Sequence, residues 1–427
     1  MAELSKTLSA GRGTALMLNI VLGAGLLSLP GLAVETVGSS ALLVWGACAL
    51  AAIPLLAVFY LLGRRYSDAG GLASIAQIAF GRFGYVTVTF LLLGAVIFGL
   101  PAIAITGGHY AAQTFGGSAH VYAVLLLVLA VLANVLSAEI AGRVNAIIAS
   151  TVVLALVVIA GLGLAFVRPD ASILPTSVGD IPPLSTLGVA FMMVFFAFTG
   201  WEVSANLGGE FKRPERDFPT AIAASFVIAV VLYVALAVVV AGAGNISNYA
   251  APFSAIFGAH FGPVGSAGVG VLSILMVFAN LSGAVWAVSR MVYSGATEGL
   301  FPSWIGTLRN GVPYRAVLLT VTVLLTVTVI SGLGDVHLGN LLVAAGQNFL
   351  LIYGIAAAAL VKLALGQGSR ALGVLSLALV VGLMIARGVE GIFYPLALIA
   401  CAAIVTGTRK RQAERLGQDL KTDWETE

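Results

Sequence analysis

The stretch Phe195-Phe196-Ala197-Phe198-Thr199-Gly200-Trp201-Glu202 decides how this chain is read. It lies in an apolar run long enough to cross a bilayer, yet carries a Thr-Gly pair and a carboxylate where a plain spanning helix carries Leu and Val. A carboxylate at that depth is expensive and marks a functional site by default. Gly200 lets the backbone leave the helix, which a membrane tolerates only where the freed peptide groups face protein or a wet cavity. The charged segment Glu210-Phe211-Lys212-Arg213-Pro214-Glu215-Arg216-Asp217-Phe218-Pro219 comes next and sets the end of this helix at a membrane surface.

Working outward, the chain has 427 residues, 60% hydrophobic and 9% charged, where a soluble domain carries about 25% charged residues. With a mean hydropathy of +1.06, it reads as an integral membrane protein. Apolar runs of about 20 residues divide it into twelve spans, near 14–34, 41–62, 84–114, 121–138, 144–167 and 186–209, then 221–243, 264–289, 316–332, 339–361, 371–386 and 391–408. With the amino end in the cytoplasm, all of the 21 basic residues except Arg168 and Arg387 fall on the inner side. The positive-inside rule asks for that distribution, and one span more or fewer would destroy it. The expectation is therefore a multi-pass protein of the cell (inner) membrane with both termini cytoplasmic. Lys6 and Arg12 ahead of an apolar run resemble a signal peptide, but the run continues past Pro30 without a small-residue cleavage site, so a retained first span is expected.

The first span reads Asn19-Ile20-Val21-Leu22-Gly23-Ala24-Gly25-Leu26-Leu27-Ser28-Leu29-Pro30. Its glycines and proline weaken a helix and expose peptide groups, although small residues also suit close helix packing. The pairing tips the balance. Interrupted helices in corresponding positions of two five-span halves point to a secondary transporter with inverted repeats. The expected architecture is a single all-α transmembrane domain over 1–427, with a first repeat at 14–167 and a second at 186–361. Two added spans at 371–408 and a cytoplasmic tail at 409–427 complete it.

Other polar groups are sparse. Span eight holds Asn280-Leu281-Ser282-Gly283 at mid-depth, which makes Asn280 a cavity candidate; Asn348 in span ten ranks below it, and either amide could instead be interhelical glue. Span three carries Phe98-Gly99-Leu100-Pro101, read as a kink facing the centre. His109, His120, His260 and His337 lie at span ends or in outer loops and read as interfacial residues. Cys48 and Cys401 read as small apolar packing residues, so neither a metal nor a cofactor is expected. An intramembrane enzyme would need paired acids, a histidine cluster or a Ser–base pair at one depth, and none occurs. No G-x-x-x-x-G-K-[ST] loop is present to couple ATP, nothing forms the polar ring of a channel, and no nucleic-acid partner is expected.

Four motifs in order carry a resemblance: Gly23-Ala24-Gly25…Pro30, Ala69-Gly70-Gly71, Phe198-Thr199-Gly200-Trp201-Glu202 with Glu210–Arg216, and Glu298-Gly299-Leu300-Phe301-Pro302. Together they resemble the amino acid–polyamine–organocation superfamily of transporters over essentially the whole chain. The segment from Glu210 to Pro219 and the compact length further resemble bacterial exporters of methionine and branched-chain amino acids. The resemblance implies the five-plus-five inverted-repeat fold of leucine transporters, with an amino acid between broken helices 1 and 6. It implies the substrate carboxylate at the amides of Ala24 and Gly25, near Gly23, and the ammonium at the carbonyls of Val21, Phe196 and Thr199. Half-helix dipoles point the same way. Phe196 matches an aromatic gate, Trp201 is grouped with it, and Glu202 matches a carboxylate that takes up a proton or fastens the gate.

Two departures narrow the coupling. Apolar residues around Val152 replace a lysine of some proton-coupled relatives, and Asn280-Leu281-Ser282 lacks the adjacent hydroxyls of sodium-coupled ones. The expected function is secondary transport of small neutral hydrophobic L-amino acids (methionine, leucine, isoleucine, valine), by Glu202-linked proton antiport or exchange, with efflux the expected direction. The apolar residues Phe98, Phe195, Phe196, Phe198 and Trp201 are expected to line the site. The alternative is an importer or exchanger of cationic amino acids or polyamines.

Overall fold

A computed structural model describes residues 8–66, 71–136, 153–168, 172–202, 211–309, 312–364 and 366–424. Ala69, Gly70, Val152 and Glu210, and Lys6 and Arg143 among the inner basic residues, lie outside the described residues. The described chain is helical: α1 Ala10–Val21, α2 Leu29–Val37, α3 Ala41–Arg65, α4 Leu72–Phe115 and α5 Ala119–Leu136. Then come α6 Val153–Leu164, α7 Leu184–Phe195, α8 Pro214–Ala241 and α9 Pro252–Thr297. The last are α10 Tyr314–Leu333, α11 Leu338–Leu363, α12 Gln367–Arg387 and α13 Phe393–Trp424. Span one is the broken pair α1 and α2, so thirteen helices account for the twelve expected spans. The helix of span twelve runs on past 408 to Trp424, because the Arg, Lys, Gln, Glu and Leu of the tail are good helix formers.

Long α4 and α11 sit side by side at the centre, with α9, α5, α13 and α10 against α4 and with α12 and α7 against α11. Small residues let the helices close in. A Cβ on Gly346 of α11 would overlap the Met192 carbonyl of α7. Large side chains then fill the interior: Trp45, Tyr110, Tyr233, Tyr353, Phe195 and Phe198 are fully buried. Residues such as Leu50, Val231, Ile385 and Ile404 stay exposed on the outside, as lipid-facing side chains do. Cys48 is buried as expected, but Cys401 is exposed and belongs to that outer apolar surface.

The structure adds a repeat that span counting overlooks. Phe80-Gly81-Arg82-Phe83-Gly84 and Phe261-Gly262-Pro263-Val264-Gly265 share the pattern F-G-x-x-G. In both, a short helix turns into a long one through a left-handed glycine, Gly81 at φ 70° and Gly262 at φ 64°. The second glycine lies under the first helix in each: a Cβ on Gly84 would come 2.5 Å from Ala76 O, and one on Gly265 2.5 Å from Phe257 O. Spans three and eight thus begin alike, five spans apart, as spans one and six break alike.

Candidate functional site

The two breaks are built from what the sequence offers locally. In span one, α1 ends at Val21, Gly23 is extended at φ −85° and ψ 165°, and a 3-10 turn Ala24–Leu27 leads into α2, whose second residue is Pro30. Proline at the start of a helix costs nothing, since its missing N–H would be unpaired there. In span six, α7 passes into a 3-10 turn Phe196–Phe198, Thr199 is extended, and Gly200 adopts φ 110°, which an L side chain resists. The breaks touch: a Cβ on Gly200 would stand 3.4 Å from Val21 Cα.

Between them lies a cavity of about 170 Å³. Of the expected site residues, Val21, Gly23, Gly25, Phe196, Thr199, Gly200, Glu202 and Asn280 all line it. Asn280, from α9, brings its amide nitrogen to 3.5 Å from where a Gly23 Cβ would be. The Phe196 ring is held between two glycines, 3.3 Å from the Cβ position of Gly25 and 3.0 Å from that of Gly99 in α4, with Phe349 beyond it at 6.1 Å between ring centroids. Ala24 is buried outside the wall. Its amide and that of Gly25 nevertheless open a 3-10 turn, where the first N–H groups have no intrahelical acceptor.

Two expectations need correction. The wall is apolar but hardly aromatic. Phe98 packs edge-on to Tyr394, Phe195 to Tyr353, Phe198 to Tyr233 and Trp201 to Phe226. Trp201 is fully buried and lies off the cavity, packed against Phe226. The aliphatic lining comes from Ile20, Val21, Leu26, Val96, Leu100 and Ile103. Phe195 and Phe198 lie one and two residues from Phe196, so a helical turn that faces Phe196 to the cavity faces them elsewhere. Phe98 belongs to α4, and Trp201 alone follows the left-handed Gly200.

The second correction concerns the carbonyls. Phe196 O already accepts from the Thr199 amide at 3.3 Å and the Thr199 hydroxyl at 2.8 Å. Val21 O accepts from the Gly23 amide at 2.8 Å and lies 3.5 Å from the Tyr233 hydroxyl. An ammonium at either must share or displace an internal donor.

Sequence reasoning does not single out Tyr233 or Tyr353, and both prove central. Tyr233, from α8, donates to Ala197 O at 2.8 Å and so ties the two breaks together. Tyr353, from α11, donates to Glu202 Oε2 at 2.7 Å, and the Gly200 amide donates to the same oxygen at 2.8 Å. The signal was legible in principle. A tyrosine inside an apolar run needs an acceptor for its hydroxyl, and only a broken helix has carbonyls and a carboxylate to spare. On the face away from the N-terminus, Ser28 and Thr106 hydroxyls pair at 3.0 Å and Tyr110 donates to Leu27 O at 2.8 Å, closing the site above.

A small apolar cavity at paired helix breaks, with free amides at one side and a fastened carboxylate at the other, is the geometry of a solute carrier. A profile of the amino acid permease family matches residues 11–408. The chain belongs to that family. It is a multi-pass membrane transporter of the amino acid–polyamine–organocation superfamily and not an enzyme. The uncharacterized amino acid permease YecA of Bacillus subtilis (strain 168) is 28% identical over 85% of this chain and 86% of its own. The L-methionine/branched-chain amino acid exporter YjeH of Escherichia coli (strain K12) is 29% identical over 83% and 85%. The putrescine transporter PotE of Haemophilus influenzae (strain ATCC 51907 / DSM 11121 / KW20 / Rd) is 23% identical over 76% and 77%. Among solved structures, MhsT in complex with L-phenylalanine superposes with a TM-score of 0.59 at 13% identity, covering 91% of this chain and 100% of MhsT. This family member therefore has the leucine-transporter-like fold.

Proposed function

We propose that the protein is a secondary active transporter of small neutral hydrophobic L-amino acids, moving methionine, leucine, isoleucine or valine by alternating access. The observation that carries this is the cavity itself: about 170 Å³ with an aliphatic wall, whose one carboxylate has an oxygen engaged by Gly200 and Tyr353. The amides of Ala24 and Gly25, near Gly23, take the substrate carboxylate. The Val21, Phe196 and Thr199 carbonyls take the ammonium, with a rearrangement of the Gly23 and Thr199 donors, and Asn280 completes the polar end. Phe196 closes over the side chain. The five-span offset of the breaks and of the F-G-x-x-G turns supports two inverted repeats, 14–167 and 186–361.

Glu202 is the coupling group in this reading. As a carboxylate it fastens the inner half of span six through Gly200 and Tyr353; proton uptake turns one acceptor oxygen into a donor and loosens that hold. Such a device serves proton antiport and exchange alike, and efflux is the direction in line with the exporter among the relatives. The second reading, transport of a cationic amino acid or polyamine, draws on Glu202 in the wall and on the putrescine transporters among the relatives.

The test is counterflow of labelled leucine or methionine into proteoliposomes without sodium, with Glu202→Gln beside the wild type. Saturable counterflow in both, with flux driven by a pH gradient lost only in the variant, is the expected result. Survival of that driven flux removes Glu202 from proton coupling. Counterflow with putrescine or arginine and none with neutral amino acids overturns the substrate assignment.

A further inference from the structure

A larger cavity, of about 490 Å³, lies outside the transport site in the crevice between α11 and α12. Leu351, Gly354, Ile355 and Ala358 form one wall; Leu377, Val380, Val381, Met384 and Ile385 form the other, with Gly388 and Ile392 at the end. Every lining side chain is apolar. Gly354 and Ala358, one turn apart, make the room, and Val381 and Ile385 are 50% and 74% exposed on its rim. The crevice opens sideways, toward the bilayer.

Its length and its one charged end say what fits. From Leu377 to Gly388, a helix rising about 1.5 Å per residue covers roughly 16 Å, one leaflet of a hydrocarbon core about 30 Å thick. At the membrane-surface end stands Arg387, the last residue of α12, beside Gly388 of the groove. It is one of only two basic residues off the basic face. Its guanidinium carbon lies 3.0 Å from the Cβ position of Gly391, and its Nε is buried with no hydrogen-bond partner among the described residues. A cation at a helix C-terminus complements the dipole, but the dipole gives the buried Nε–H no acceptor.

We propose that this crevice is a binding site for an anionic phospholipid of the leaflet opposite the N-terminus, its acyl chain along α12 and its phosphate on Arg387. A neutral hydrocarbon would fill the groove equally well anywhere; the arginine at one leaflet's depth gives the site its preference for charge. The site stands apart from the substrate reading and survives or fails independently of it.

Native mass spectrometry of the purified full chain with added phosphatidylglycerol or phosphatidylcholine of the same acyl chains tests it. The wild type should retain phosphatidylglycerol several-fold over phosphatidylcholine. Arg387→Gln should make the two equal, and Ala358→Leu, which fills the groove, should remove the retained lipid. Circular dichroism and a monodisperse elution profile verify that both variants fold. Equal retention in the wild type means that Arg387 is neutralised within the protein, Glu390 being the nearest acid in sequence, and overturns the proposal. So does a preference unchanged in Arg387→Gln. A two-chain mass abolished by Ala358→Leu assigns the groove to a second copy instead.

Discussion

Glu202 and Tyr353 show how one buried residue acquires its behaviour from another. Tyr353 is packed edge-on by Phe59 at 4.6 Å and Phe195 at 5.6 Å between centroids, so its hydroxyl is aimed and cannot wander. Tyr353→Phe keeps that packing and deletes one hydrogen bond to the carboxylate, a loss of about 1.5–3 kcal/mol for a charged acceptor. Because Tyr353 lies off the cavity wall, leucine exchange in proteoliposomes should slow roughly ten- to hundredfold with little change in half-saturation; unchanged exchange would remove Tyr353 from the device. At the surface, Asp180 titrates in view. Hydrogen bonds from the Thr176 hydroxyl first, then from Ser177 and the Thr176 amide, hold its carboxyl below the usual range. A depressed folded value means that the turn's added stability is present above the ordinary aspartate range and is lost as pH falls through the folded value. Protection of the Thr176 and Ser177 amides, as the intrinsic exchange rate at each pH divided by the observed one, should therefore hold at neutral pH and fall only in acid, and Asp180→Asn should remove that pH dependence.

At the scale of elements, the charged segment after span six is a clasp on the start of span one. Phe211 is fully buried and its ring covers Gly13 of α1, where a Cβ would overlap it. The Lys212 amide donates to Leu8 O at 2.9 Å, and Met17, Phe218, Ala221 and Ile222 complete a separate small core. Arg213 pairs with the buried Asp217 at 3.1 Å one turn away. Gly13→Ala should destabilise this junction by about 1–3 kcal/mol through overpacking, read as a lower melting temperature of the purified protein. In a Phe211→Ala background the same substitution should add almost nothing. Additive losses would show that the ring and the glycine act separately. The sequence marks the segment as charged and surface-bound; that Phe211 is its anchor could not be read there, because the glycine it covers is nearly two hundred residues away.

Over the whole molecule, the twelve-span reading returns the chain to the face on which it began, with nearly all basic residues on that face. Reporter fusions at residue 1 and residue 427 should both report the cytoplasmic side in intact cells. A periplasmic signal from either end would break the span count. On the same reading Arg387 faces the other leaflet, where the positive-inside rule discourages a basic residue that lacks a local reason to be there.

Composition and two glycine-interrupted spans were enough to read membrane insertion and where the two helices break, because each depends on the chemistry of a contiguous run. That Val21, Gly23, Gly25, Phe196, Thr199, Gly200 and Glu202 lie at the breaks that line one cavity was legible for the same reason: a broken helix announces itself locally. The tertiary structure alone decided which aromatics face the cavity, since the face that each helix turns to it is set by how the helices pack. It alone supplied Tyr233 and Tyr353, whose hydroxyls satisfy peptide and carboxylate groups freed on another helix. Freed polar groups in a membrane must find partners, but which partner reaches them is settled only by how the helices pack.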